Sequence, residues 1–205
     1  MNKINEPLEG ARFRVGASMK IGYVSLNVSD LNESLDFYQS VLGFKIVTRP
    51  SRERALLYVN SNDSYLVELL QVQPDATHGV GSNSYANDKR AGLYHFALLL
   101  PQRKYLADML QNLTEKQDQV YFDGLADHLV SESIYIRDPD FNGIEVYSDR
   151  PILEWRWNGD KIQMATLPLN TKDLRKESTG EEWEEMPAKT RIGHVHLQVR
   201  DLPTR

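Results

Sequence analysis

The histidines of this chain are the first candidates for chemistry. The sequence has five histidines and no cysteine, so cysteine nucleophiles and thiolate zinc sites are excluded, and a metal would need imidazole, carboxylate or phenolate ligands. His95 and His194 each open an apolar, alternating stretch typical of a half-buried strand. His196 shares a strand face with His194 and is interpreted as a packing or surface residue. His78 lies in a polar segment and is expected to be exposed to solvent.

Glu145 is a carboxylate within an apolar stretch that is predicted to form a strand. On a strand it points away from Ile144 and Val146 and shares a face with Gly143 and Tyr147. If that face is interior, an unpaired carboxylate there would be costly, and a metal or a hydrogen-bond donor is expected beside it. If the face is outward, Glu145 is simply solvated.

An internal repeat indicates how such residues are positioned. The segments 21–31 (IGYVSLNVSDL) and 192–202 (IGHVHLQVRDL) are identical at seven of eleven positions. A weaker third copy, GLYHFALLLP, occupies 92–101. Self-similarity of this kind is the signature of a repeated structural unit.

Each repeat opens a predicted module of strand, helix and three further strands. In module one, Asp30 is the predicted helix N-cap, with Glu33 completing a capping box, and Gly43 is the predicted C-terminal cap. Its helix carries Leu35, Tyr38 and Leu42 on one face. The predicted strands of module one are 23–28, 44–48, 54–59 and 64–72. Module two is predicted as strand 95–100, helix 104–113, a strand or loop at 119–122, and strands 133–138 and 143–148.

These modules divide the chain into predicted domains. Residues 1–19 form an N-terminal tail, and residues 20–150 form a domain of two modules, 20–73 and 91–150. Residues 151–190 are interpreted as a linker that partly packs on the sheet, with a solvated acidic run at 181–185. Residues 191–205 are interpreted as the start of a second, truncated domain, because a lone strand cannot bury a core.

Composition narrows the class of protein. The net charge is −5 and 40% of the residues are apolar, which is ordinary for a globular protein and argues against nucleic acid as a partner. No apolar run is long enough to span a bilayer, and the N-terminus lacks a secretory signal, so the cytoplasm is expected and a membrane is not. Because the second domain is interpreted as truncated, one edge of its sheet would be left exposed, and this favours a homo-oligomer that covers the edge.

The module opening resembles a known superfamily. The pattern V-x-D-L-x-x-S-x-x-F-Y-x-x-x-L-G-F runs from Val28 to Phe44 and is similar to that of the vicinal-oxygen-chelate proteins, which include glyoxalase I, bleomycin-resistance proteins and extradiol dioxygenases. The stretches GLYHFALLLPQRKYLADML and DHLVSESIYIRDPDFNGIEVYSDRP resemble the four-module catechol 2,3-dioxygenase group. The resemblance implies an α+β fold of repeated βαβββ modules forming a curved mixed sheet or open barrel.

The resemblance also implies a metal-ligand set. His95 and His194 match the first-strand histidines of modules two and three, and Glu145 matches the last-strand carboxylate of module two. Tyr23 stands where module one would carry its histidine, so His194 completes the triad only if module two pairs with module three. A rival set keeps Glu68, the last-strand carboxylate of module one, in place of His194.

The implied activity is extradiol ring cleavage, as in the breakdown of aromatic compounds. Fe(2+) is the expected metal, with Mn(2+), Zn(2+) or Ni(2+) as alternatives, and an aromatic vicinal diol and O2 are the expected partners. His128 matches an acid–base histidine and Tyr135 a tyrosine that hydrogen-bonds a phenolate. A glyoxalase-like isomerase or lyase, and a non-catalytic small-molecule-binding protein, remain alternatives on the same fold.

Overall fold

Two mixed sheets with helices packed against them form the fold. A computed structural model of the chain describes residue 16 and residues 18–59, 64–73 and 91–199. Positions 1–15, His78 and residues 200–205, on which parts of the sequence predictions fall, lie outside the described residues. Neither sheet closes into a barrel, and the predicted α+β class with βαβββ modules is confirmed.

Module one has the predicted order of elements. Its strands are β1 (Val24–Val28), β2 (Lys45–Ser51), β3 (Arg54–Tyr58) and β4 (Val67–Gln71), and its helix α1 (Leu31–Asp36) continues as a π-helical turn (Phe37–Val41). The sheet order is β1-β4-β3-β2, with β1 parallel to β4 and at the sheet edge in this part of the chain.

Local chemistry explains where the first helix begins and ends. The Asp30 carboxylate accepts hydrogen bonds from the backbone N–H groups of Asn32 and Glu33, which confirms the predicted N-cap. Gly43 follows the π-helical turn with a φ of +80°, and a Cβ there would lie 2.7 Å from the backbone nitrogen of Met186. Only glycine therefore fits this position without strain.

Module two repeats the order of module one, with four strands and one main helix. It contains β5 (Gly92–Leu99), α2 (Arg103–Glu115), β6 (Tyr121–Asp127), β7 (Ser131–Arg137) and β8 (Gly143–Asp149). The ambiguous segment near 119–122 is thus the start of a full strand, β6. The four α2 side chains predicted to face inward are buried: Leu106, Met109, Leu110 and Leu113.

The chain beyond module two returns to cover its edge. After a short hairpin of β9 (Trp157–Asn158) and β10 (Lys161–Ile162) and the helical turn α3 (Thr171–Leu174), strand β11 (Arg191–Gln198) pairs antiparallel with β5. The five-stranded order is β11-β5-β8-β7-β6. The first strand of the third repeat therefore lies beside the first strand of the second. The domain division at 150 and 191 stays a prediction. No helix in the described segments is long and apolar enough to cross a membrane.

Module one holds the turn that precedes β8. The Tyr38 hydroxyl donates to Asp138 Oδ2 at 3.0 Å, and the Ser29 N–H lies 3.0 and 3.1 Å from the two carboxylate oxygens of Asp140. In the π-helical turn that follows α1, the Val41 carbonyl accepts a hydrogen bond from the Asn112 side chain at 2.9 Å. These contacts join the two modules around one hydrophobic core.

Stability should depend on pH through Asp138. Burial raises the pKa of this carboxyl to about 6, although hydrogen bonds from Asn142 and Tyr38 oppose the rise. The folded chain then binds more protons than the unfolded one, whose aspartate pKa is about 3.9. The free energy of unfolding should therefore fall by about 2–3 kcal/mol as pH rises from 4 to above 6.

Urea denaturation of the wild type and of Asp138→Asn between pH 4 and 7.5 measures this contribution. The substitution should remove this part of the pH dependence, whereas the same change at exposed Asp118 should leave it in place. Parallel curves for the wild type and Asp138→Asn would contradict the assignment.

Candidate metal centre and pocket

Three potential metal ligands converge on one face of the five-stranded sheet. In the strand register, His194 lies opposite Ala97, Ala97 opposite Glu145, and Glu145 opposite Tyr135. His95, two residues before Ala97, points to the same side. Among the described residues, His95, Glu145 and His194 are the group of His, Asp or Glu side chains close enough to hold one ion.

The ligand atoms form a small triangle. Glu145 Oε2 lies 3.0 Å from His95 Nε2 and 3.0 Å from His194 Nε2, and the two imidazole nitrogens are 3.2 Å apart. Three ligands on one octahedral face, bonded at about 2.1–2.2 Å, are separated by about 3.0–3.1 Å. The triangle therefore has the size that a divalent metal requires, and imidazole with carboxylate is a donor set such metals prefer.

The three ligand side chains differ in burial, and one side of the triangle is open. The side chains of His95 and Glu145 are 8% and 4% exposed, whereas that of His194 is 45% exposed. Two ligands are thus buried and the third borders solvent. A facial set with an open side leaves coordination positions for other molecules.

Glu145 is held in its charged form. Burial alone would raise the pKa of this carboxyl, but hydrogen bonding to His194 and His95 and from Ser133 outweighs burial and holds the pKa well below its usual range. Ser133 Oγ donates to Oε1 at 2.6 Å, which leaves Oε2 directed at the two imidazoles. Ser133 was missed by the sequence analysis. Its position two residues before Tyr135, on the same strand face, was the available signal.

A tyrosine packs beneath the His194 strand. The Tyr147 and His194 rings are 5.4 Å apart between centroids. A Cβ at Gly193 would lie 2.0 Å from the Tyr147 hydroxyl oxygen, so glycine at 193 makes room for the phenol. Burial and the charge of Asp149 raise the pKa of Tyr147 to about 12, which keeps it neutral beside the histidine.

His128 and Tyr135 form a second polar pair next to the triangle. His128 Nε2 is 2.8 Å from the Tyr135 hydroxyl, and its Nδ1 is 2.9 Å from the Ala165 carbonyl oxygen. The Tyr135 ring lies 5.6 Å from the His95 ring. Burial, followed by the charge of Glu145, raises the pKa of Tyr135 well above its usual range. The phenol therefore remains a hydrogen-bond donor.

A cavity of about 620 Å³ joins the triangle and this pair. Its size falls within the range of about 300–1,000 Å³ that is usual for small-molecule sites. Residues that the sequence analysis did not assign to the site also line it, among them Tyr94, Asp123, Arg137, Met164, Thr166 and His196. Of these, His196 packs edge-on against His95, with ring centroids 4.9 Å apart.

Glu68 occupies the equivalent position in module one but has another partner. It lies opposite Ser25 and Leu56, as Glu145 lies opposite Ala97 and Tyr135. By this register Arg54 corresponds to Ser133, and Arg54 Nε donates to Glu68 Oε1 at 2.5 Å. The guanidinium neutralises Glu68 within the other sheet, and the rival ligand set is not assembled.

The fold and the site agree with what sequence comparison finds. The chain belongs to the glyoxalase/bleomycin resistance protein/dioxygenase superfamily, since the sequence profile of that family matches residues 20–146. A glyoxalase/dioxygenase from Nostoc punctiforme superposes with a TM-score of 0.50 at 18% identity, over 74% of this chain and 99% of that one. At this identity the superposition demonstrates the fold alone.

Two other relatives are closer in sequence. Catechol-2,3-dioxygenase of Bacillus subtilis (strain 168) is 36% identical over 183 residues, which are 89% of this chain and 60% of that protein. The virulence protein STM3117 of Salmonella typhimurium is 28% identical over 129 residues, or 62% of this chain and 82% of that protein. The chain thus spans about three fifths of the length of the Bacillus relative.

Proposed function

We propose that this chain binds Fe(2+) through His95, Glu145 and His194 and cleaves the ring of a catechol-type diol with O2. The observation that carries the proposal is the 3.0–3.2 Å triangle of two imidazole nitrogens and one carboxylate oxygen. Two histidines and one carboxylate on one face are typical of non-haem Fe(II) oxygenases. The 36% identity to a catechol-2,3-dioxygenase supports the same reaction.

The metal, when bound, would act as a Lewis acid on the vicinal oxygens of the diol and would offer one binding site for both the diol and O2. The carbon–carbon bond beside the diol breaks, and both atoms of O2 enter the product. The work of the chain is to hold the aromatic ring in the cavity and to move protons. Tyr94 and Met164 supply aromatic and apolar surface for the ring.

Proton transfer falls to His128, and Tyr135 supports it as a hydrogen-bond donor. A neutral imidazole accepts a proton readily near pH 7, and His128 lines the same cavity as the ligand triangle. Tyr135 keeps its proton and can donate a hydrogen bond to a diol oxygen or to His128.

The contact between Glu68 and Arg54 gives no support to the glyoxalase-like ligand set.

Turnover measurements test the reaction. The chain, reconstituted with Fe(2+) under anaerobic conditions, should form a yellow ring-opened product when catechol and air are added. His128→Asn should lower kcat by about 100-fold or more because a general base is lost, while iron content remains unchanged. Tyr121→Phe, at an exposed site outside the cavity, is the matched control and should leave kcat unchanged. Iron-loaded wild type that forms no product from catechol or a substituted catechol would refute the proposal.

A further inference from the structure

The segment that follows the β9–β10 hairpin forms a wall of the cavity. We call residues 163–167 the inter-module strap. Leu167 N–H donates to the Asp127 carbonyl at 2.9 Å, and Asp127 N–H donates to the Leu167 carbonyl at 2.8 Å. This antiparallel bridge lays the strap along the end of β6. Met164 and Thr166, on either side of Ala165, line the cavity.

The strap meets His128 where the chain turns between β6 and β7. His128 N–H donates to the Ser131 carbonyl at 2.8 Å, and the next residue, Leu129, has a φ of +69°. The Asp127 carboxylate accepts the Leu129 N–H at 2.8 Å and also binds Arg150. Several contacts therefore hold the backbone at His128. The imidazole ring of His128 lies between the strap and Tyr135.

The chemistry of the two ring contacts distinguishes the two imidazole nitrogens. A carbonyl oxygen can only accept, so the 2.9 Å contact with Ala165 requires the proton on Nδ1. The opposite tautomer would place the Nδ1 lone pair against the carbonyl lone pairs. With the proton on Nδ1, Nε2 of the neutral ring is unprotonated, and its lone pair accepts a hydrogen bond from the Tyr135 hydroxyl at 2.8 Å.

We propose that the inter-module strap is a positioning element of the site, whose Ala165 carbonyl fixes His128 as the Nδ1–H tautomer and so presents Nε2 to the cavity as a proton acceptor. The proposal rests on the proposed function for its catalytic meaning, but its physical content is independent of turnover. Two residues of the strap, Met164 and Thr166, also line the cavity. The strap thus couples the protonation pattern of His128 to the shape of the substrate pocket.

Nitrogen NMR of the full chain, labelled with 15N-histidine, tests the tautomer. The spectrum of metal-free and Zn(2+)-loaded protein near pH 7.5 should include a histidine ring with a protonated Nδ1 and an unprotonated Nε2 whose signal vanishes in His128→Asn. The rings of His95 and His194, which face the metal through Nε2, should show the same pattern in the loaded protein but persist in His128→Asn. A proton on Nε2 of His128, or on both nitrogens, would overturn the proposal. This measurement on the wild type does not depend on any variant folding.

Leu167→Pro then tests whether the strap is responsible. The change removes the N–H that bonds to Asp127, so the strap should loosen and His128 should populate both tautomers. Met164→Ala, which alters the wall but keeps the Ala165 carbonyl, is the control and should leave the tautomer unchanged. A folded Leu167→Pro protein with the wild-type tautomer would contradict the role of the strap.

The outcomes separate this proposal from the proposed function. Absence of ring cleavage together with an Nδ1–H tautomer refutes the dioxygenase activity and leaves the strap contact standing. Ring cleavage with an Nε2–H tautomer refutes the strap contact and leaves the activity standing.

Discussion

Replacing Glu145 with glutamine should lower the affinity for Fe(2+) by on the order of 100-fold or more, since it removes the one anionic ligand of the triangle. The substitution keeps the size of the side chain, and an amide in place of a buried carboxylate carries less desolvation cost. Loss of metal should therefore occur in a folded protein. Iron bound after anaerobic reconstitution and gel filtration, measured by mass spectrometry, gives the result directly.

Glu68→Gln is the matched control for this experiment. Glu68 occupies the same register position in module one, is also buried, and is paired with Arg54 instead of two histidines. Its substitution should leave iron content unchanged. Equal iron loss in the two variants, or full retention in Glu145→Gln, would contradict the ligand assignment.

His194→Ala isolates the contribution of the third repeat within the same experiment. His194 reaches the triangle only because β11 pairs with β5. Its loss should reduce iron binding as strongly as the loss of His95. Normal iron content in His194→Ala would mean that the third ligand comes from elsewhere in the chain.

The elements of the fold were readable from the sequence where side-chain patterns are local. Asp30 and Gly43 marked the ends of the first helix, and Leu106, Met109, Leu110 and Leu113 marked the inward face of α2, because capping and helical periodicity depend on residues close in the chain. Strand β6 was ambiguous. Its sequence, YFDGLAD, breaks apolar alternation at Asp123 and Gly124, and its strand conformation depends on pairing with β7.

The site was only partly readable for a related reason. His95, Glu145 and His194 could be selected from the resemblance of their modules, but their convergence depends on the pairing of β11 with β5, between residues far apart in the chain. The contact from Ala165 to His128 left no trace in the sequence, since a backbone carbonyl has no residue signature. The pairing of Arg54 with Glu68 was likewise hidden, because Arg54 lies on β3 and Glu68 on β4, and only the strand register brings them together.

Gly143→Ala should damage both the sheet and the metal centre. A Cβ at this position would lie 2.1 Å from the Tyr94 carbonyl oxygen and 3.0 Å from the His95 Cβ. The first of these atoms belongs to the backbone of the neighbouring strand, so no side-chain rotation relieves the overlap. Strands β5 and β8 would have to separate next to the contact between the His95 and Glu145 side chains.

The expected cost is roughly 3 kcal/mol or more of unfolding free energy, the upper range for overpacking a rigid core, together with loss of iron. Urea denaturation and iron content after anaerobic reconstitution measure the two effects. Gly124→Ala is the matched control, since it lies in the same sheet with nothing within 4 Å of the added Cβ, and its unfolding free energy should change by less than about 1 kcal/mol. If Gly143→Ala retains wild-type stability and iron content, the close approach of β8 to β5 is not what positions His95 against Glu145. If both properties fall together while Gly124→Ala is unaffected, the close packing of β8 against β5 at Gly143 is what holds the metal centre together.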